Sequence, residues 1–91
     1  MTMEERYGIA AFRSRQQVLR FDAALRRGGV ATRIVSTPRN VALGCGLSVS
    51  FAPEDARTVV DAVNRMRPEN LIGVYMLERS GGRTKLTTLR L

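Results

Sequence analysis

The sequence predicts an α+β domain in which two helices cover one face of an antiparallel sheet. Three observations lead to this fold class. Two segments carry apolar residues at helical spacing, several short segments are rich in alternating or β-branched apolar residues, and the segments follow the order β-α-β-β-α-β. That order is typical of the ferredoxin-like sandwich, here with a C-terminal hairpin strand added at the sheet edge. We expect the other face of the sheet to be open or paired with a partner.

The first segments predict a strand that leads into a helix. The apolar run at residues 7–13 forms the strand, and Ser14 followed by Gln17 is a capping box, in which each side chain bonds a free backbone amide. A helix is therefore expected at residues 15–27, with Gly28 at its C-terminal end. Its buried stripe is predicted to consist of Val18, Leu19, Phe21, Ala24 and Leu25.

Two strands separated by a long connection follow. Residues 30–36 alternate and are rich in β-branched side chains. Residues 46–51 place their apolar side chains on one face, so only one side of this third strand is expected to be buried. The connection of roughly eight residues is longer than the two to five usual in a hairpin, which is typical of a functional loop.

The second half of the chain predicts a helix and a β-hairpin. Pro53 and the acids after it suit the first turn of a helix, and Pro68 ends it. A fourth strand at residues 71–77, a tight turn at 80–83 and an edge strand at 84–91 complete the sheet. The buried stripe of the helix is predicted to consist of Ala56, Val59, Val60, Val63 and Met66.

Composition indicates one cytoplasmic domain over residues 1–91. The chain carries 15 basic and 8 acidic residues, a net charge of +7, and one cysteine, which cannot form an internal disulfide. We identify neither a secretory signal nor an apolar run suited to a membrane span. The charge suits nucleic acid or an acidic partner, but the basic residues are scattered from Arg6 to Arg90, which disfavours nucleic acid.

Residue types that the sequence lacks exclude most catalytic chemistry. With no histidine and one cysteine, there is no metal-ligand cluster, no Cys–His dyad and no imidazole base. Neither a phosphate-binding loop nor a dinucleotide fingerprint is present. We therefore predict a protein that is not an enzyme and that uses no cofactor.

The chemically distinctive group is the thiol of Cys45, within the segment PRNVALGCGL at residues 38–47. In the predicted topology this connection lies at the same end of the sheet as the start of the first helix. Cys45 is then expected to face the N-terminal turn at Ser14 and Arg15, a candidate binding site. A helix N-terminus and nearby arginines favour the thiolate and lower the pKa of a cysteine from its usual value of about 8.5.

The residues around this thiol suit either a reactive or a structural cysteine. Arg39 in the same loop, and Arg65 or Arg67 at the end of the second helix, would add positive charge. Gly44 and Gly46 leave the sulfur accessible to a partner. The same glycines equally suit a bulge at the start of the third strand, and a lone cysteine is most often a small, inert apolar residue.

Four motifs follow one another along the chain. They are YGIAAFRSRQQVLRF, GGVATRIV, the pair Pro38-Arg39, and Cys45-Gly46-Leu47 at the start of an apolar strand. With these motifs the chain resembles, over residues 7–77, the family of selenium/sulfur (Se/S) carrier protein-like domains, and the C-terminal hairpin at 80–91 lies outside the resemblance. Family members often carry serines before the Cys-Gly pair, where this chain has Val41-Ala42-Leu43-Gly44, so no role for loop hydroxyls is implied.

The resemblance implies a small carrier that holds sulfane sulfur or selenium on Cys45 as a persulfide or perselenide. A desulfurase-like donor protein would supply the atom, and an acceptor enzyme would remove it. Arg39 and Arg15 are the residues that we expect to stabilise the thiolate or its adduct, while Gly44 and Gly46 shape the loop.

Two other functions stay open at this point. The first is a non-catalytic dimerisation or protein-interaction module that uses the open sheet face or the edge strand, with a structural Cys45. The second is RNA binding on the sheet face, which requires exposed aromatic side chains. The chain has 2 tyrosines and 3 phenylalanines, and most of them occupy core-like positions.

Overall fold

The computed structural model describes residues 5–38, 41 and 46–91. Its strands and α-helices follow the predicted order. They are β1 (Glu5–Phe12), α1 (Arg15–Arg27), β2 (Thr32–Ser36), β3 (Leu47–Phe51), α2 (Ala56–Met66), β4 (Leu71–Ser80) and β5 (Arg83–Thr88). A 3-10 turn at Pro53–Asp55 leads into α2, so the helix that is predicted to open at Pro53 becomes α-helical from Ala56.

The five strands form one sheet in the order β2-β3-β1-β4-β5, and every neighbouring pair is antiparallel. β1 lies at its centre, where Ala10 is paired with Val49 of β3 and with Val74 of β4. β4 and β5 are joined at Gly81 and Gly82, whose φ angles of 57° and 78° suit the two-residue turn of a hairpin. The predicted α+β class and the hairpin strand at the sheet edge are therefore confirmed.

Both helices pack on one face of the sheet. Their apolar side chains and alternate residues of the strands form a buried cluster, which consists of Ala10, Phe12, Val18, Phe21, Leu25, Val30, Val49, Phe51, Val59, Ala62, Val63 and Val74. The rings of Phe12 and Phe21 have centroids 5.4 Å apart and are tilted by 53°. The Phe51 ring lies over Gly8, where any side chain would overlap it. Removing this apolar surface from water is the main force that holds the layers together.

The opposite face of the sheet is not open at its centre, contrary to the prediction. Ile9 and Ala11 alternate with the cluster residues of β1 and have no exposed surface, and Ser48 of β3 has none either. Part of the cover comes from Tyr75, whose ring lies against Gly73, the residue that is paired with Ala11. The prediction that only one side of the third strand is buried is therefore wrong. Alternation in a sequence shows which side chains are polar, but not what covers the second face.

Two residues that are predicted to be buried on the helices are exposed instead. Leu19 is 50% exposed, because it lies about 100° around α1 from the buried Val18. Met66 is 44% exposed at the last residue of α2, and Ala62 occupies a buried position on that helix. Both exposed side chains lie where the helix surface turns away from the sheet.

A polar network joins the C-terminal half of α1 to the start of β2. Asp22 is buried and accepts hydrogen bonds from the Thr32 hydroxyl and, over 3.1 Å, from Nε of Arg26. Arg26 also donates to the Thr32 hydroxyl over 3.0 Å and to the Thr32 carbonyl over 2.8 Å. These bonds compensate for removing the carboxylate from water, so the network stabilises the α1–β2 connection.

Candidate functional site

Three connections of the fold meet at one end of the sheet, which we call the loop end. They are the β1–α1 connection at residues 13–14, the β2–β3 connection at 37–46 and the α2–β4 connection at 67–70. The end of β1 is paired with the start of β3 through Ala11 and Ser48. On the other side of β1, the Arg13 amide donates to the Asn70 carbonyl over 2.8 Å. The long connection and the start of α1 therefore leave the sheet at the same end, as the sequence predicts.

α1 begins at the loop end with Ser14 and Arg15. Ser14 is the N-cap residue, with extended φ and ψ of −117° and 126°, but its hydroxyl makes no capping hydrogen bond. Its carbonyl instead accepts the Gln17 amide over 3.1 Å, which is the amide that the hydroxyl would bind. The side-chain part of the predicted capping box is therefore wrong. The first turn contains no acid and Arg15 is exposed, so this helix end is positive.

Thr37 and Ser48 bracket the ends of the β2–β3 connection. The Thr37 amide donates to the Gly46 carbonyl over 2.8 Å, which extends the strand pairing by one step. The hydroxyl oxygens of Thr37 and Ser48 are 2.7 Å apart, and Ser48 is fully buried. Gly46 has a φ of +83°, and no described residue crowds the place where a side chain would lie, so the positive φ favours glycine here.

The predicted site residues fall into two groups. Those that the structure describes all lie at the loop end and are Ser14, Arg15 and Gly46. Those that lie outside the described residues are Arg39, Gly44 and Cys45. The structure thus describes both ends of the connection that contains Cys45, and the role of the thiol stays a prediction.

A groove of about 300 Å³ opens beside α1 at the loop end. It is lined by Gln17, Arg20 and Phe21 of α1 and by residues 66–69. Arg67 ends α2 in a left-handed conformation with a φ of 47°, and its amide donates to the Val63 carbonyl over 2.8 Å. Sequence reasoning names Arg67 but misses Arg20, because the side of α1 that faces the α2–β4 connection depends on how the two helices pack.

Two negative findings concern only residues 5–38, 41 and 46–91. Across these ranges, no three histidine, cysteine, aspartate or glutamate side chains are grouped in a way that could hold a metal ion. Neither helix in these ranges has the length and apolar character that a membrane crossing requires.

Comparison with protein families gives a match over most of the chain. The family model described as "Putative Se/S carrier protein-like" matches residues 7–71. The chain belongs to this family. The matched range starts at the same residue as the predicted resemblance and ends at 71 instead of 77, so the predicted family is confirmed. No curated protein and no solved structure matched the chain.

The region shared with this Se/S carrier-like family contains the whole loop end. It spans β1 from Tyr7 onward, α1, β2, β3 and α2, together with the three connections that meet there, and it includes the single cysteine. Almost all of the β4–β5 hairpin lies outside the matched range.

Proposed function

We propose that this chain is a small carrier, not an enzyme, that holds sulfane sulfur or selenium on Cys45 and delivers it to an acceptor enzyme. The observation that carries the proposal is the family match over residues 7–71, which includes the only cysteine of the chain. The position of Gly46 supports it. This residue follows Cys45 directly and lies at the end of the sheet where α1 begins.

The loading step is an exchange between a thiolate and a persulfide. The Cys45 thiolate attacks the terminal sulfur of a persulfide on a desulfurase-like donor protein, and a new S–S bond forms while the donor's S–S bond breaks. The electron pair of the broken bond leaves with the donor thiolate, so the step needs no oxidant. A terminal selenium atom transfers in the same way, with an S–Se bond formed and another broken. Delivery is the same exchange with an acceptor thiolate.

The chemistry requires a reduced thiol, from which we infer that the carrier acts in the cytoplasm.

Charge at the loop end supports stabilisation of the thiolate. The first turn of α1 contains no acidic residue, and its unpaired amides carry partial positive charge. We infer that Arg15 and Arg39 attract the thiolate and its anionic adduct, with Ser14 as a hydrogen-bond donor. Gly44 and Gly46 would then shape the loop.

We also infer that the complete arrangement is ferredoxin-like. Support comes first from the strand order β2-β3-β1-β4, in which another strand lies between the two strands that each helix connects. β3 lies between β1 and β2, which α1 connects, and β1 lies between β3 and β4, which α2 connects. Both helices also pack on the same face of the sheet. β5 is then an addition beyond β4.

The test is intact mass spectrometry of the purified chain after incubation with a pyridoxal-phosphate cysteine desulfurase and cysteine. We expect the mass of one added sulfur atom, its removal by a reductant, and its absence in Cys45→Ser. Circular dichroism of the variant should match that of the parent chain, which excludes unfolding as the cause. No adduct on the folded parent chain, or an equal adduct on the variant, would overturn the proposal.

The alternative function is a dimerisation or protein-interaction module in which Cys45 is structural. One observation favours it: β2 is an edge strand, and its Ile34 is 39% exposed. The buried centre of the face opposite the helices argues against docking there. A dimer in light scattering that Ile34→Lys dissociates, with a thiol that resists alkylation until the chain unfolds, would favour this module over the carrier.

A further inference from the structure

The loop end carries a group of exposed arginines. The loop-end group consists of Arg13, Arg15, Arg20 and Arg67, all exposed. Within the described ranges, no carboxylate forms an ion pair with any of these four side chains. The described ion pairs lie toward the other end of the sheet and are Arg6–Glu78 at 3.6 Å, Arg26–Asp22 at 3.1 Å and Arg79–Glu5 at 3.9 Å. The loop end therefore presents exposed arginines that no described ion pair neutralises, and the same is true of Arg27 and Arg83 at the other end of the sheet.

The groove between α1 and the α2–β4 connection combines this charge with an apolar surface. Phe21 is 1% exposed, and Met66 is 44% exposed beside it in the same groove. Arg20 and Arg67 also line it, and Glu69 is the acid among its lining residues. The groove thus offers room for an apolar side chain of a partner, in a lining that contains two arginines and one glutamate.

We propose that this groove, together with Arg13 and Arg15, docks an acidic segment of a partner protein that carries one apolar side chain. The apolar side chain packs on Met66, and carboxylates on either side of it pair with Arg20 and Arg67. Opposite charges across such an interface mainly accelerate association and orient the partner. The identification of that partner as the donor or acceptor of the carried atom rests on the proposed function, whereas the docking surface does not.

The shape of the groove favours a protein partner over RNA. Recognition of single-stranded RNA depends on aromatic rings on which bases stack. The aromatic side chain of this groove, Phe21, is almost fully buried and presents no ring to a base. Met66 and Pro68 are aliphatic and suit a leucine-like side chain.

Fluorescence anisotropy with defined probes tests the docking surface. The probe is a fluorescein-labelled synthetic peptide with one leucine flanked by aspartates and glutamates. Control peptides replace the acids with their amides or the leucine with glycine, and a labelled single-stranded RNA tests the other class of partner. We expect the acidic leucine peptide to bind best and to lose affinity as salt rises, because salt screens exposed charges.

Matched variants distinguish local docking from general charge. The double variant Arg20→Gln/Arg67→Gln should weaken binding by about tenfold, the sum expected for two partly exposed ion pairs. Arg27→Gln/Arg83→Gln removes the same charge at the other end of the sheet and should bind like the parent chain. Met66→Gln should weaken binding.

Leu19→Gln is the control for the apolar contact, because Leu19 is another exposed apolar side chain on a helix, and it should leave binding unchanged. Three results would each overturn the proposal. They are an equal loss of peptide affinity in the two double arginine variants, tighter binding of the RNA than of the acidic peptide, and no binding of the acidic peptide. Cys45→Ser should bind the peptide like the parent chain. Failure of sulfur loading with intact peptide binding would therefore count against the carrier function alone.

Discussion

Gly46 directly follows the proposed carrier cysteine. Its replacement by alanine tests whether the backbone conformation of this residue, and not the packing around it, sets the conformation of the β2–β3 connection. Its φ is +83°, and among the residues that the structure describes, no atom beyond its chain neighbours lies within 4 Å of the position that a new Cβ would take. Alanine therefore meets no clash with these residues but must adopt a left-handed angle, at a cost of about 1–2 kcal/mol. In a domain of this size, each kcal/mol lowers Tm by about 4–8 °C. If the connection rearranges to relieve the strain, the population of its native conformation falls by about 5–30-fold.

Gly29→Ala is the matched control. Gly29 has a φ of +89°, has equally open space around it, and follows α1 at the end of the sheet away from the loop end. We expect Gly46→Ala to lower either Tm or the rate at which iodoacetamide alkylates Cys45 in the folded chain, whereas Gly29→Ala should lower Tm alone. Equal alkylation rates and an unchanged Tm in Gly46→Ala would refute the argument that its positive φ sets the conformation of this connection.

The remaining predictions use alkylation and urea unfolding. The alkylation rate of Cys45 against pH should have its midpoint below about 8.5, the usual pKa of a free cysteine, and a midpoint at or above that value would contradict the carrier proposal. Gly8→Ala should lose about 1–3 kcal/mol of unfolding free energy, because its Cβ overlaps the Phe51 ring. Gly28→Ala, at a φ of −82°, is its control and should be nearly neutral; equal losses would contradict the packing argument. Asp22→Ala should lose about 1.5–3 kcal/mol, because two donors lose a charged acceptor, and a neutral result would show that the network is not stabilising.

Local sequence signals predicted the elements well. The helix expected at residues 15–27 coincides with α1, because apolar spacing, basic residues in its last turn and the following glycine all agree. The third strand begins at Leu47, one residue later than predicted, since Gly46 has a positive φ that ends the extended conformation. The fourth strand reaches Ser80, beyond the predicted 77, because pairing with β5 prolongs it past its apolar residues.

The errors concern what covers each side chain. Ser48 alternates with apolar neighbours and is predicted to be exposed, yet it is fully buried and its hydroxyl lies 2.7 Å from that of Thr37. Leu19 and Met66 are apolar and are predicted to be buried, yet both are exposed. Helical spacing indicates a stripe, but its width depends on the neighbouring elements that pack on it.

The sequence by itself determined the order of the elements, the single thiol and the family, because these depend on local periodicity and residue identity. Only the tertiary structure decided which surfaces are covered and where charge collects. Arg67 is separated along the chain from Arg13, Arg15 and Arg20 by two strands and the whole of α2, and the sequence therefore does not group it with them. Antiparallel pairing of β1 with β3 and β4 brings their segments to one end of the sheet, because strand pairing joins residues that are distant in sequence.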